Sequence, residues 1–237
     1  MLIHGRNAVL EAARAGRVVR VLQAARLGHD PRLDELRVLA KVEMVPAEQL
    51  DAIARGVHQG VAAELKPRRD WTLRELLDTE PALLVALDSI MDPQNLGAIL
   101  RSSEVAGADG AILPEHRSAP LSPAAVKASS GASELMPIAR VSGMPSAIAE
   151  VKRAGVWCVA LDVRGDTWPW DFDLTQRVCL VVGGEGQGVH RLVLERCDER
   201  LRLPARGRVG SYNSSAAAAA LLYEVMRQRG SRESPSP

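Results

Sequence analysis

No apolar run in this sequence approaches the roughly 18 residues that a membrane-spanning helix needs. The opening residues, Met1-Leu2-Ile3-His4-Gly5-Arg6, carry no signal-peptide pattern. A soluble, cytoplasmic protein is expected. Charge of one sign is also missing: 30 Lys and Arg stand against 29 Asp and Glu, a net charge of +1. That balance excludes attraction of the whole molecule to a polyanion, so any nucleic-acid surface must be a local patch. Cysteine is sparse. Cys158, Cys179 and Cys197 fit no metal-ligand spacing, and the first two sit inside apolar runs, as buried thiols do. His29, His116 and His190 are scattered, so no metal site is expected. There is no Gly-x-Ser-x-Gly nucleophile elbow, no Cys–His pair and no internal repeat.

What is present is an ordinary globular composition. Of 237 residues, 46% are hydrophobic and 25% charged, enough for one large core or for a large and a small one. Residues 1–66 alternate helix and strand patterns. Asn7 stands where it can cap a helix over 8–13, and Gly16 ends it. Residues 18–22 read as a strand. Asp30-Pro31 opens a helix with Leu33, Leu36 and Leu39 on one face. A short strand at 42–45, a helix at 47–54 and a strand at 61–65 complete a small α/β domain. Lys66-Pro67-Arg68-Arg69-Asp70 then breaks the pattern with charge and proline, which predicts a linker over 67–79.

A second domain is expected over 80–229. Leu83-Leu84-Val85-Ala86-Leu87, Trp157-Cys158-Val159-Ala160-Leu161 and Val178-Cys179-Leu180-Val181-Val182 are unbroken apolar runs, as in strands buried on both faces of a parallel sheet. Shorter strands are read at 111–113 and 201–203, with helices at 96–106, 122–130, 189–196 and 214–229. Strand and helix in turn predict an α/β, doubly wound parallel sheet. Residues 230–237 are polar and expected to be a disordered tail.

Three clusters each follow a strand. Asp92-Pro93-Gln94-Asn95-Leu96-Gly97 leads into a helix carrying Arg101. Asn95 can cap that helix and Asp92-Pro93 can make the turn, so a plain strand–turn–helix junction with a solvated arginine accounts for it equally well. Gly183-Gly184-Glu185-Gly186-Gln187-Gly188 lets backbone approach a ligand closely. It fits neither the dinucleotide fingerprint, since residue 189 is valine, nor the phosphate loop, which ends in Lys-Ser/Thr. A tight turn explains its glycines, but not a carboxylate among them. The third cluster runs from Leu203-Pro204 to Ser211-Tyr212-Asn213-Ser214-Ser215-Ala216. Ser214 or Ser215 can simply cap the alanine-rich helix that follows.

In this order the clusters resemble the three motifs of the SpoU (TrmH-like) RNA 2′-O-ribose methyltransferases of the SPOUT superfamily. The N-terminal unit resembles the substrate-binding domain of the RlmB-like branch at His4-Gly5-Arg6-Asn7-Ala8-Val9 and His58-Gln59-Gly60-Val61. The resemblance implies a ribosomal-protein-like N-terminal domain, a C-terminal domain with a deep trefoil knot, and a homodimer whose active sites draw on both chains. It implies S-adenosylmethionine as cofactor, met by Gly183, Gly184, Leu203, Tyr212 and Ala216. It implies RNA as partner, bound through Arg6, Asn7 and His58. Asn95, Arg101, Glu185, Ser211 and Asn213 become the catalytic set. Because a guanidinium is a permanent cation, Arg101 is expected to hold an RNA phosphate and stabilise the forming alkoxide, with Glu185 holding Arg101 and Asn95 orienting it or the ribose. Ser211 and Asn213 would complete the pocket. The family usually has leucine where this chain has Tyr212, so the packing there must differ. A guanosine of large-subunit (23S) ribosomal RNA is the expected target. Transfer RNA is one alternative, and an RNA-binding assembly factor without catalysis is another.

Overall fold

The structure is a computed structural model that describes residues 1–54 and 57–230. The first domain runs β1 (Leu2–His4), α1 (Arg6–Arg14), β2 (Val18–Ala24), α2 (Pro31–Leu39), β3 (Val42–Val45), α3 (Ala47–Ile53) and β4 (Val61–Leu65). Its sheet has the order β1-β4-β2-β3, with β4 antiparallel to both neighbours and β2 parallel to β3. The three-residue β1 is too short to be read from periodicity; its pairing with β4 fixes it.

Two local expectations change here. Asn7 does not cap α1 but lies within its first turn. Gly5 is the cap, at φ 102°, a conformation that favours glycine. Of the three leucines on α2, Leu33 and Leu36 are buried, whereas Leu39 ends the helix 45% exposed. The Asp30 cap holds as expected, its side chain accepting from Arg32 N at 2.9 Å.

Residues 67–79, expected to be a linker, are ordered. Arg69 lies 4.3 Å over the Trp71 ring, and Trp71 pairs with Ala139 beside the second sheet. Thr72 and Glu75 form a reciprocal capping box that opens α4 (Leu73–Asp78), an arrangement in which the cap contributes about 1 kcal/mol. Leu73 and Leu76 are buried against the second domain, so this half of the connection belongs to its core.

The second domain continues with β5 (Leu83–Asp88), α5 (Pro93–Val105), β6 (Gly110–Pro114), α6 (Pro123–Ala128), α7 (Ala132–Leu135), β7 (Ile138–Val141), α8 (Met144–Arg153), β8 (Trp157–Leu161), β9 (Val178–Gly183), α9 (Arg191–Leu194), β10 (Glu199–Leu201) and α10 (Ser214–Gly230). All pairs in its sheet are parallel, in the order β10-β8-β9-β5-β6-β7. All six residues of β5 are buried, as its unbroken apolar run requires. One core fills the α5 and α10 face of the sheet and a second fills the α4 and α8 face. Cys158 and Cys179 are fully buried, and burial pushes the Cys197 thiol up to about 12. Three expectations shift: α9 is confined to Arg191–Leu194, β10 sits at Glu199–Leu201, and Gly230 closes α10. Residues 231–237 of the expected tail lie outside the described residues.

The domains pack tightly. Val126 of α6 joins the N-terminal core beside Ile3, Val9 and Leu33. Lys127 Nζ donates to Val57 O at 2.7 Å. The Glu134 side chain, 1% exposed, takes Arg17 from the first domain and lies 3.7 Å from Arg68 of the connection.

Candidate functional site

The carboxyl ends of β5, β9 and β10 face one region, where open parallel sheets place their ligands. β5 ends in Asp88, paired in register with Gly183 at the end of β9. Asp88 is buried and holds the glycine loop by two strands of contact. Its carbonyl accepts from Gly184 N at 3.0 Å, and its Oδ2 accepts from His190 N at 2.7 Å. A Cβ on Gly183 would fall 2.0 Å from Gly188 C, and one on Gly184 would fall 2.2 Å from Ser89 O. These glycines are therefore required by the loop's own backbone packing. Asp88 escaped the sequence reading; its only trace there is a carboxylate ending a buried strand.

The first cluster resolves in favour of a different cap. Asp92 caps α5, its Oδ1 accepting from Gln94 N at 3.0 Å with Pro93 in the first turn. That leaves the buried Asn95 side chain free to face inward. Asn95 Nδ2 donates to Glu185 Oε1 at 2.9 Å, and Asn95 Oδ1 accepts from Asn213 Nδ2 at 3.0 Å. Asn213 Nδ2 also donates to Glu185. Asn213 Oδ1 turns the other way and accepts from Ser215 N at 2.9 Å, Ser215 Oγ at 2.6 Å and Ala216 N at 3.2 Å. Asn213, rather than Ser214 or Ser215, thus satisfies the open amides at the start of α10. One residue from each of the three clusters meets in this triad.

Beside the triad is a cavity of about 1360 Å³ lined by Gly183, Gly184, Glu185, Leu203, Ser211, Tyr212 and Asn213 among others. Ala216 does not line it, whereas Ala217 does. Tyr212 Oη donates to Pro204 O at 2.7 Å and closes the exposed loop between them, a link that leucine could not make. Ser214 lines the cavity with a buried Oγ that lacks a hydrogen-bond partner among the described residues.

Arg101 stands apart. It is exposed, does not line the cavity and, among the described residues, makes no hydrogen bond or ion pair. The expected Glu185–Arg101 pair is not formed within this chain; Glu185 Oε1 instead accepts from the two asparagines. At 3.6 residues per turn, Arg101 falls on a different face of α5 from Asn95 and shares one with Gln94, Ala98 and Val105.

In the N-terminal domain, Arg6 Nη1 pairs with Asp30 at 2.6 Å and Arg6 Nε donates to Gln59 O at 3.1 Å. Asn7 Oδ1 accepts from Arg32 at 2.8 Å, and His58 Nε2 lies 2.9 Å from Asp51. These three residues share one edge, each with partners inside the domain. Arg32, through its guanidinium and its backbone N–H, and to a lesser degree Arg6 hold the Asp30 carboxyl far below the usual carboxylate range.

Residues 82–223 match the SpoU rRNA Methylase family, and residues 2–71 match the family described as RNA 2′-O ribose methyltransferase substrate binding. This chain belongs to the SpoU methylase family. It is similar to the 23S rRNA (guanosine-2′-O-)-methyltransferase RlmB of Pseudomonas syringae pv. tomato, 38% identical over 217 residues that cover 87% of each chain. It is also similar to a putative TrmH family tRNA/rRNA methyltransferase of Staphylococcus aureus, 36% identical over 96% of each chain. Among solved structures it resembles the SpoU methyltransferase AviRb of Streptomyces viridochromogenes in complex with AdoMet. The TM-score there is 0.82 at 27% identity, covering 98% of this chain and 91% of that one. As a SpoU enzyme the chain is an RNA 2′-O-methyltransferase that uses S-adenosylmethionine. The cavity suits that cofactor: it offers glycine backbone and an orphan hydroxyl. Among the described residues no group of His, Cys, Asp and Glu could hold a metal ion, and no helix is long and apolar enough to cross a membrane.

Proposed function

We propose that this enzyme methylates the 2′-hydroxyl of a guanosine in 23S ribosomal RNA. The observation that carries the reading is the Asn95–Glu185–Asn213 triad at the edge of the glycine-loop cavity, in a chain whose N-terminal region matches the substrate-binding family. The name of the Pseudomonas relative supplies the nucleotide class.

The cofactor supplies an electrophilic methyl. The protein must then place a ribose oxygen in line with it and stabilise charge on that oxygen. Gly183, Gly184, Leu203 and Tyr212 hold the cofactor, largely through backbone groups. Asn95, Glu185, Ser211 and Asn213 form the wall against which the ribose sits. Arg101 supplies the cation, and it does so across a dimer. The Gln94–Ala98–Arg101–Val105 face of α5 and the Ala216–Ala220–Tyr223–Met226 face of α10 are solvent-facing, with Val105 67% and Tyr223 69% exposed. Exposed apolar surface on two helices that pack together suits an isologous contact, which would carry Arg101 towards the partner's cavity. The passage of the chain from β10 back to Asn213, beside Asn95, is consistent with a C-terminal trefoil knot. The N-terminal domain, ribosomal-protein-like in this reading, meets the RNA along the edge of Arg6, Asn7 and His58. A target in a loop is favoured, since its ribose can be unstacked.

Mapping ribose methylation on ribosomal and transfer RNA incubated with enzyme and S-adenosylmethionine tests the reading. One methylated guanosine in 23S RNA is expected. Methylation confined to transfer RNA would replace the substrate, and none on either RNA would remove the assignment.

A further inference from the structure

The aromatic residues of this chain are few, four Trp, two Tyr and one Phe, yet two tryptophans stack at the cavity. The rings of Trp168 and Trp170 lie 5.4 Å apart at an interplanar angle of 9°. Trp168 lines the cavity, and Trp170 is 52% exposed. The Arg202 guanidinium lies 4.4 Å over the Trp168 ring, and its Nε is buried without a hydrogen-bond partner among the described residues. Arg164, also at the cavity wall, is exposed and has no side-chain partner among the described residues.

The pair is held firmly. Trp168 leads into a 3-10 turn over Pro169–Asp171 that carries Trp170. Gln228, near the end of α10, donates from Nε2 to Pro169 O at 3.0 Å and Phe172 O at 3.2 Å, and its Oε1 accepts from Leu174 N at 2.9 Å. Thr167 O accepts from Arg202 N at 2.9 Å, tying the turn to the strand end that carries the arginine. A core role does not account for a half-exposed tryptophan stacked on a second one. The cavity is also larger than the roughly 300–1,000 Å³ usual for a small-molecule site, which leaves room for RNA beside a cofactor.

We infer that the Trp168–Trp170 pair is a base-stacking platform, on which an unstacked nucleobase neighbouring the methylated nucleotide lies against Trp170 while Arg202 and Arg164 meet its phosphate. The inference rests on RNA being the substrate and adds where, and by what contact, the RNA is gripped. Aromatic faces and guanidiniums are the groups that hold splayed bases and their backbone. Because every base has a π-face, the platform contributes grip rather than sequence choice.

The test uses full-length wild type, Trp170→Ala and Trp170→Phe. Each is assayed for intrinsic tryptophan fluorescence on titration with a 23S RNA fragment, for S-adenosylmethionine affinity, and for KM and kcat toward that RNA. Wild type should show fluorescence quenching by RNA. Trp170→Ala should raise the RNA Kd and KM about tenfold, the loss of one stacked base, with cofactor affinity unchanged. Trp170→Phe should recover most of the affinity. Unchanged RNA Kd in Trp170→Ala would overturn the platform, as would a loss confined to cofactor affinity, which would make the pair an adenine site. Conversion of a dimer to a monomer by Trp170→Ala would reassign the pair to a protein interface. Trp170-dependent RNA binding without any methyl transfer by wild type would leave the platform standing and remove the proposed reaction.

Discussion

Asn95 and Glu185 are joined by a 2.9 Å hydrogen bond, Nδ2 donating to Oε1, although 90 residues separate them in the chain. Asn213 closes the triangle by donating to both. The carboxylate thereby fixes the orientation of two amides at the cavity edge, and each vertex can be probed separately.

Asn213 does two jobs with two ends of one amide, so two substitutions separate them. Asn213→Ser keeps an oxygen for the α10 cap but removes the amide donor to Glu185 without adding charge. It should melt close to wild type and lose at least a hundredfold in methyl-transfer rate. Asn213→Ala should lose comparable activity and also about 1 kcal/mol of stability through the cap. Thermal melts and single-turnover rates on the same preparations check the split; equal melting of both variants would show that the cap contributes nothing.

Arg101→Ala should leave folding and cofactor affinity intact, because the side chain has no partner to lose among the described residues. Charge stabilisation in a transition state is worth about 3 kcal/mol or more, a rate loss near a hundredfold. Arg101→Lys should recover little, since an ammonium lacks the planar fork. Mixing Arg101→Ala with a Glu185→Ala chain should restore activity at one site per heterodimer if Arg101 serves the partner's cavity. A rate within threefold of wild type for Arg101→Ala would return it to a solvated helix residue.

Arg17→Ala should weaken the union of the domains. Glu134 is 1% exposed and would keep only Arg68, 3.7 Å away. Breaking a buried pair by removing one partner costs about 3–5 kcal/mol. Denaturant unfolding should report a loss in that range, and limited proteolysis should cut the connection at 67–79 faster. No change in either would mean that the Val126 and Lys127 contacts hold the domains without the Arg17–Glu134 pair.

Gly183→Ala should disable cofactor binding, because the new methyl meets Gly188 and Val189 backbone at 2.0 and 2.1 Å and the loop must shift. Gly143→Ala is the control, its nearest neighbour being Ser146 Oγ at 4.0 Å. Calorimetric titration with S-adenosylmethionine should show at least a tenfold loss for the first and none for the second.

Much of this molecule follows from sequence alone. Unbroken apolar runs at 83–87, 157–161 and 178–182 dictate parallel strands, buried except at the two ends of the second, since a strand covered on both faces needs apolar residues at every position. Asp30-Pro31 fixes a helix start because cap and first-turn geometry are local. The three motifs, in order, give the chemistry. Tertiary structure decided what depends on partners distant in the chain. Short β1 exists only because β4 pairs with it. Residues 67–79 pack as structure because Leu73 and Leu76 find a core. Asp92 caps α5, which frees Asn95 for Glu185. Arg101 is turned away from that triad by the helical repeat. A side chain's type is written in the sequence, but its direction is set by which neighbours have already taken its hydrogen bonds.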